Sequence, residues 1–260
     1  MKSVVFIGSG NVASNLAPAI DALDNYAVIQ VHSRNIDHAE RLCEKLQQAK
    51  PIAELKDVDN QADFVIIAVS DDVVISIADG LPRNLTAITM HTSGSVPLEG
   101  LKNAPSDTAV FYPFQTFTSG RKVDIADVPF FIEASSEKAK DEAKALAMSL
   151  SDKVFDADSD TRRTLHLAGI FSCNFVNRLW AITQKLLAEK GIPFDVLRPL
   201  LEETLRKAFD LGPLDAQTGP ARRGDLDLIH RHIKLLSPEE AQIYKDLSNS
   251  ILSEYNQTEV

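Results

Sequence analysis

Residues 4–20 read VVFIGSGNVASNLAPAI. A β-branched apolar run meets Gly8-Ser9-Gly10, and an apolar-periodic stretch follows at once. Glycines at a strand-to-helix junction let backbone approach a pyrophosphate where no Cβ intervenes. The helix behind them offers unpaired N–H groups and the positive end of its dipole. Gly8-Ser9-Gly10-Asn11-Val12-Ala13 fits G-x-G-x-x-A, in which the third small residue lets helix pack on strand. Alone the motif is weak, since a plain tight turn uses the same residues. Its setting strengthens it: a strand before, a helix after, and a second strand ending about 20 residues later.

That second strand, Tyr26–His32, ends in Ser33-Arg34-Asn35. An NAD site usually places an acid there for the ribose 2′-hydroxyl. Here Arg34 is positioned to pair with a 2′-phosphate and Ser33 to donate to it, which favours NADP(H). The competing reading is that Arg34 is a solvated loop cation. Val69 and Ser70, in AVSDD after the third strand, are further cofactor candidates through their backbone. Asp71 or Asp72 reads as a cap for the helix that follows.

Outward from this motif the first half keeps alternating. Ser3–Ile7, Tyr26–His32, Phe64–Val69 and Thr86–His91 read as strands, and Val12–Leu23, Asp37–Gln48 and Val73–Leu81 as helices. Continuous apolar strands interleaved with helices predict a parallel sheet covered on both faces. After residue 105 the pattern loosens. A strand enters a loop within residues 109–117, another covers 129–134, an amphipathic helix runs Ser136–Leu150, and KVFDA closes the series. From Ser159 onward only helical signals remain: Thr161–Lys190 ended by Gly191, then Phe194–Leu211, Leu226–Leu236 and Pro238–Glu254. Residues 212–225 read as a long loop, with Asp225 capping the next helix. The fold class is therefore α/β, a doubly wound Rossmann sheet in residues 1–156 followed by an all-helical domain in 157–260.

Composition narrows the function. The chain has 260 residues, 44% apolar and 25% charged, with a net charge of -10. Up to residue 156 there are 14 Lys+Arg against 22 Asp+Glu. An acidic surface repels phosphate backbones, which argues against nucleic-acid binding. Cys43 and Cys173 are too far apart to suggest a disulfide framework or a metal site. No apolar run approaches a membrane span and no leader precedes the first strand, so the expectation is a cytoplasmic protein with no membrane association.

Chemistry candidates fall in two places. His91 and Ser93 of MHTSGS sit at the carboxyl end of the fourth strand, the edge where open α/β sheets bind ligands. His166 and Asn174 lie eight residues apart in HLAGIFSCNFVN, about 80° around a helix axis, so roughly on one face. Buried polar groups there need partners, which substrate or a neighbouring helix supplies. In TGPARRGD, Arg222 is a candidate for holding an anionic group of a substrate, against the plainer reading of a capped loop. His230 and His232 read as surface or interface histidines.

VFIGSGNVASNL, HTSGS, FYPFQTF, HLAGIFSCNFVN and TGPARRGD occur in that order. The set resembles a bacterial family joining a Rossmann-like NADP-binding domain to a C-terminal helical domain of unknown function, labelled an NADP oxidoreductase and sometimes deazaflavin-coenzyme-dependent. More distantly it is similar to pyrroline-carboxylate reductase, ketopantoate reductase and 6-phosphogluconate dehydrogenase. The resemblance implies cofactor over Gly8, Ser9, Gly10, Asn11, Val12 and Arg34, substrate between the halves, and a helical domain of the 6-phosphogluconate dehydrogenase C-terminal type. Two departures stand out. The hydroxyacid-dehydrogenase branch has a lysine four residues before the asparagine of its long helix; Ile170 stands here. The nearer family leads us to expect a histidine before the proline of YPFQTF; Tyr112 stands here.

These readings combine into an NADP(H)-dependent oxidoreductase acting on a small carbonyl or imine metabolite. Its proton donor is to be sought among His166, Tyr112 and His91, with Asn174 and Ser93 orienting substrate, and no metal is needed. The alternative is a protein that senses NADP(H) without turnover. Phe171, Phe175, Leu179 and Trp180 along 161–190 predict a homodimer interface.

Overall fold

The structure, a computed structural model, describes residues Met1–Tyr255. It divides into two compact units, Met1–Asn174 and Phe175 onward.

The first unit is built on one eight-stranded sheet: β1 (Lys2–Ile7), β2 (Tyr26–His32), β3 (Lys50–Ile52), β4 (Phe64–Ile67), β5 (Ile88–His91), β6 (Thr108–Pro113), β7 (Phe130–Ala134) and β8 (Val154–Asp156). Its order is β3-β2-β1-β4-β5-β6-β7-β8. All neighbours are parallel except β6 and β7, which run antiparallel. The chain therefore starts in the middle and winds outward both ways, and the switch lies between β1 and β4, beside the glycine turn.

Strand alternation divides the core. Val4, Phe6, Phe64 and Ile66 pack on one face with Leu16 and Ile20 of α1 (Asn11–Asp21), and with Leu146 of α4 (Glu137–Met148). Val5, Ile7, Val65 and Ile67 pack on the other with Val74 and Ala78 of α3 (Val74–Asp79). Every residue of β4, β5 and β6 is buried, as a sheet covered on both faces requires. Asn35 caps α2 (Ile36–Cys43) by accepting from Asp37 N at 3.0 Å. β3 escapes the sequence reading because Lys-Pro-Ile carries no strand signal of its own.

Sheet and helix signals change at residue 156 as read, but the compact unit continues to Asn174. The reason is Arg162 on α5 (Ser159–Gly169), whose side chain is 1% exposed. Its Nε donates to Ser93 O at 3.2 Å, one Nη to the Val96 carbonyl and the other to Glu133 on β7. These bonds bind the helix to the sheet's carboxyl edge.

The predicted helix over 161–190 is helical throughout, but not uniformly. Ile170–Phe175 forms a wider π-type turn between α5 and α6 (Val176–Ala188). Gly191 ends it at φ +66°, and its N–H donates to Ala188 O at 3.0 Å.

In the second unit α7 (Arg198–Leu211) is followed by two short helices, α8 (Pro213–Ala216) and α9 (Pro220–Arg223), where the sequence reads as a loop. Each is a single turn started by a proline after a positive-φ glycine, too short for a periodic signal. Asp225 caps α10 (Leu226–Ile233) by accepting from Leu228 N at 3.1 Å. Ser237 and Glu240 form a reciprocal capping box on α11 (Pro238–Glu254). The core here is small, centred on Ala221, Ile229 and Leu252. No described helix is long and apolar enough to cross a membrane.

Candidate active site

Two clefts open at the carboxyl edge of the sheet, both within the first unit. The first is a cavity of about 530 Å³ along the glycine turn and the end of β2. Of the nine expected cofactor residues, Ser9, Gly10, Asn11, Val12, Ser33, Arg34, Val69 and Ser70 line it. Gly8, the ninth, has a packing role in the same turn. Its φ is +110°, and a Cβ there would stand 2.2 Å from Ala68 O. Gly8 is required by the approach of β1 to the loop after β4. Gly10 is the opposite case, since a Cβ there would meet no protein atom within 4 Å. The space it leaves is the cleft itself.

The fit to a dinucleotide follows from the groups present. Gly10 is the N-cap of α1 and supplies no side-chain cap, and the first turn holds no acid. Its terminal N–H groups are thus left for an anion. Ser9 and Ser33 hydroxyls lie 3.1 Å apart across the turn, with exposed Arg34 beside them. No aspartate or glutamate lines this cleft. His32 at its floor is buried, and burial holds its pKa below the usual imidazole value, so it adds no charge near neutrality.

The second cavity, about 340 Å³, shares Val12 and Val69 with the first. Ser93, Tyr112, His166 and Asn174 all line it. The π-type turn helps here: a wider turn advances each residue by less than the about 100° of an α-helix, which reduces the angle between His166 and Asn174. Tyr112 Oη and His166 Nδ1 lie 3.4 Å apart. Burial pushes the Tyr112 phenol up to about 12, so it keeps its proton near neutrality. Ser93 Oγ accepts from the N–H groups of Ser95 (3.1 Å) and Val96 (3.0 Å), fixing the loop and leaving its O–H to donate.

His91 is the expectation that fails. It is wholly buried, lines neither cleft, and its Nδ1 accepts from Ser93 N at 3.1 Å. Burial, seconded by the Arg162 charge, lowers its pKa to about 3. It is a buried ring whose Nε2 has no hydrogen-bond partner among the described residues, and its lowered pKa leaves it neutral near pH 7. Arg222 lines neither cleft; its guanidinium lies 3.9 Å from the Tyr255 ring centroid, a cation–π contact within the second unit. Asp71 is not a helix cap: Ser70 holds that position, and the Asp71 carboxylate accepts from Ser95 Oγ at the second cleft.

Three residues build the site in roles that the sequence does not disclose. Gly94 is one: a Cβ there would stand 2.7 Å from Tyr112 Cζ and 2.9 Å from His166 Nδ1. Only its hydrogen lets the pair meet. Arg162, one helical turn before His166, ties α5 to the Ser93–Val96 loop. A lone helical arginine normally reads as solvated, and nothing local marks it as buried. The third is Asp71. Cys173 also lines the second cleft, and Cys43 has its thiol pushed up to about 11 by burial; neither is in a disulfide. Among the described residues no group of three His, Cys, Asp or Glu could hold a metal ion.

Comparison with known proteins agrees with this layout. The family described as "NADP oxidoreductase coenzyme F420-dependent" matches residues 3–89, and a "domain of unknown function (DUF2520)" matches 128–251. A Bacteroides fragilis protein solved as a "putative NADP oxidoreductase" is 39% identical, with 97% of this chain and 98% of that one covered, at a TM-score of 0.88. An imine reductase from Myxococcus stipitatus in complex with NADP+ shares the fold at 14% identity and a TM-score of 0.64, covering 98% of this chain and 93% of its own. So does 1-pyrroline-5-carboxylate reductase from Streptococcus pyogenes, at 14% and 0.65, covering 96% and 98%. A comparison with curated proteins returns no match.

Proposed function

The chain belongs to the NADP oxidoreductase family that joins an F420-dependent-type NADP-binding domain to DUF2520, and on that premise we propose that it reduces a carbonyl or imine carbon of a small metabolite. The observation that carries this reading is the pair of clefts sharing Val12 and Val69, one suited to a dinucleotide and the other holding a phenol–imidazole pair.

In this reading the N–H groups at the start of α1 hold the pyrophosphate, while Ser33 and Arg34 hold the 2′-phosphate. A nicotinamide cofactor held there would supply the hydride. The Tyr112 hydroxyl gives its proton to the heteroatom as the C=O or C=N π bond breaks, and His166 returns a proton to the phenolate. Asn174 offers both an amide donor and an acceptor, and the Ser93 hydroxyl one donor, to orient the substrate. Arg222, expected to hold an anionic group, meets the Tyr255 ring within the second unit and takes no part in this reading.

Titration calorimetry with NADPH and NADH tests the foundation. NADPH should bind tightly and NADH weakly, and Arg34→Ala should abolish the preference, a loss of about 10-fold or more. If neither nucleotide binds, the glycine turn is only a turn and the reading falls. NADPH that binds but is never consumed across a metabolite pool would favour the sensor instead.

We also propose a homodimer. Neither α6 nor α7 has a buried residue, and Trp180, Leu200, Leu205 and Phe209 are exposed. Apolar helix faces of this extent call for a cover, and closed pairing of identical copies is the commonest arrangement. Sedimentation as a single 28.5 kDa species would exclude it.

A further inference from the structure

The second cleft has a charge character that limits what it can accept. Of the described side chains lining it, Asp71 is the one aspartate, glutamate, lysine or arginine. His166 is the one side chain there able to carry a positive charge, and no lysine or arginine is placed to hold a carboxylate or phosphate. Arg162, behind the wall, does not line the cleft and is committed to Ser93 O, Val96 O and Glu133. Asp71 is held in place by the Ser95 hydroxyl on Oδ2, and Oδ1 makes no hydrogen bond among the described residues. Its charge reaches the reacting pair, since it acts on the Tyr112 phenol. Phe114, Phe117 and Ile170 also line it, apolar surface suited to a hydrocarbon body.

We propose that the substrate is a cation without a carboxylate, its positive nitrogen read by the Asp71 carboxylate. An ammonium beside the reacting carbonyl and a protonated imine present the same charge to that carboxylate; the carbonyl takes the Tyr112 proton, whereas the protonated imine already carries its proton and needs only the hydride. An anionic substrate would meet Asp71 with only His166 to oppose it, which disfavours it. This rests on the reduction reading above, because it takes the second cleft to be the substrate's.

The test uses three ring compounds of like size and different charge: cyclopentylamine, cyclopentanol and cyclopentanecarboxylate. Each is titrated into the full chain, with and without NADP+, and followed by the His166 ring resonances. These are assigned by their loss in His166→Gln. The amine should bind best and the carboxylate worst, about 10-fold apart or more for a partly desolvated charge pair. Asp71→Asn should bring the amine and the alcohol within about twofold of each other. Ser95→Ala, which keeps the charge and removes the tether, should retain the amine preference and so separates charge from loop disorder. Carboxylate binding equal to or tighter than amine binding, an unchanged order in Asp71→Asn, or no response of His166 to the amine would each overturn the proposal. NADP+ binding is measured in the same samples. Its loss would sink the reductase reading, while the charge order is still read without nucleotide.

Discussion

The two units are stabilised in different ways. The first has an internal sheet whose alternating residues fill cores on both faces, with Val4, Phe6, Val65 and Ile67 wholly buried. The second has a core of three buried residues under α9, α10 and α11, while Phe209 on α7 stays 84% exposed. A sheet buries its own strands once helices cover it. A few amphipathic helices do so only if something closes the last face, which is the role proposed above for a second copy.

The sharpest way to break the comparison is Gly8→Ala. Its φ and the 2.2 Å approach of Ala68 O leave no room for a methyl group. A loss of more than about 3 kcal/mol, seen as a steep drop in Tm or as insoluble protein, is expected. A wild-type-like melt would show that the core of the first unit yields more than its packing implies.

Acid is the next lever. The folded pKa of His91, about 3, lies below the ordinary 6.5, so between those values the unfolded state binds the extra proton. Stability is complete above pH 6.5 and declines as pH falls toward 3. His91→Asn keeps an acceptor for Ser93 N and removes the titration. Its urea midpoint should fall less steeply with pH, by about 2 kcal/mol or more at about pH 4. Parallel curves would mean the imidazole is not the sensitive group.

In the second unit the lever is association. Phe209→Asp places a charge on the exposed face of α7 and should weaken the proposed dimer by about 2 kcal/mol, visible as a concentration-dependent shift in sedimentation. The first unit's far-UV signal and cofactor affinity should persist. The smallest effect on folding is expected for Gly10→Ala. Nothing in the protein crowds that Cβ, so stability should change by no more than about 1 kcal/mol. NADPH affinity should nonetheless fall about tenfold or more, because the methyl group enters the cofactor's space. Gly8 and Gly10, two residues apart, would then separate folding from binding.

The same contrast explains what the sequence discloses. β1, β2, β4 and β5 are legible because a buried parallel strand is a continuous apolar run. The cofactor cleft is legible because its motif is local: Ser9 to Val12 and the end of β2 lie within one supersecondary unit. The second cleft draws on residues from five separate segments, and only part of each speaks locally. Ser93, Tyr112, His166 and Asn174 look chemical and are brought together. Gly94 looks like turn filler, Arg162 like a solvated cation and Asp71 like a cap. Each acquires its role from a neighbour 18 to 72 residues away. His91 misleads for the converse reason, since a histidine at a strand's carboxyl end is conspicuous whether it faces the cleft or the core.

Gly94 has a last consequence, for how such a site can diversify. Its hydrogen sits against Tyr112 and His166 with no spare volume, so that side of the cleft admits no variation without dismantling the pair. A lineage changing its substrate would have to work through other lining positions, such as Phe114, Gln115, Thr116 and Ser172. The reacting pair is pinned where Gly94 meets it and the choice of molecule left to the rest of the lining, so relatives could part ways in diet while keeping the same reaction.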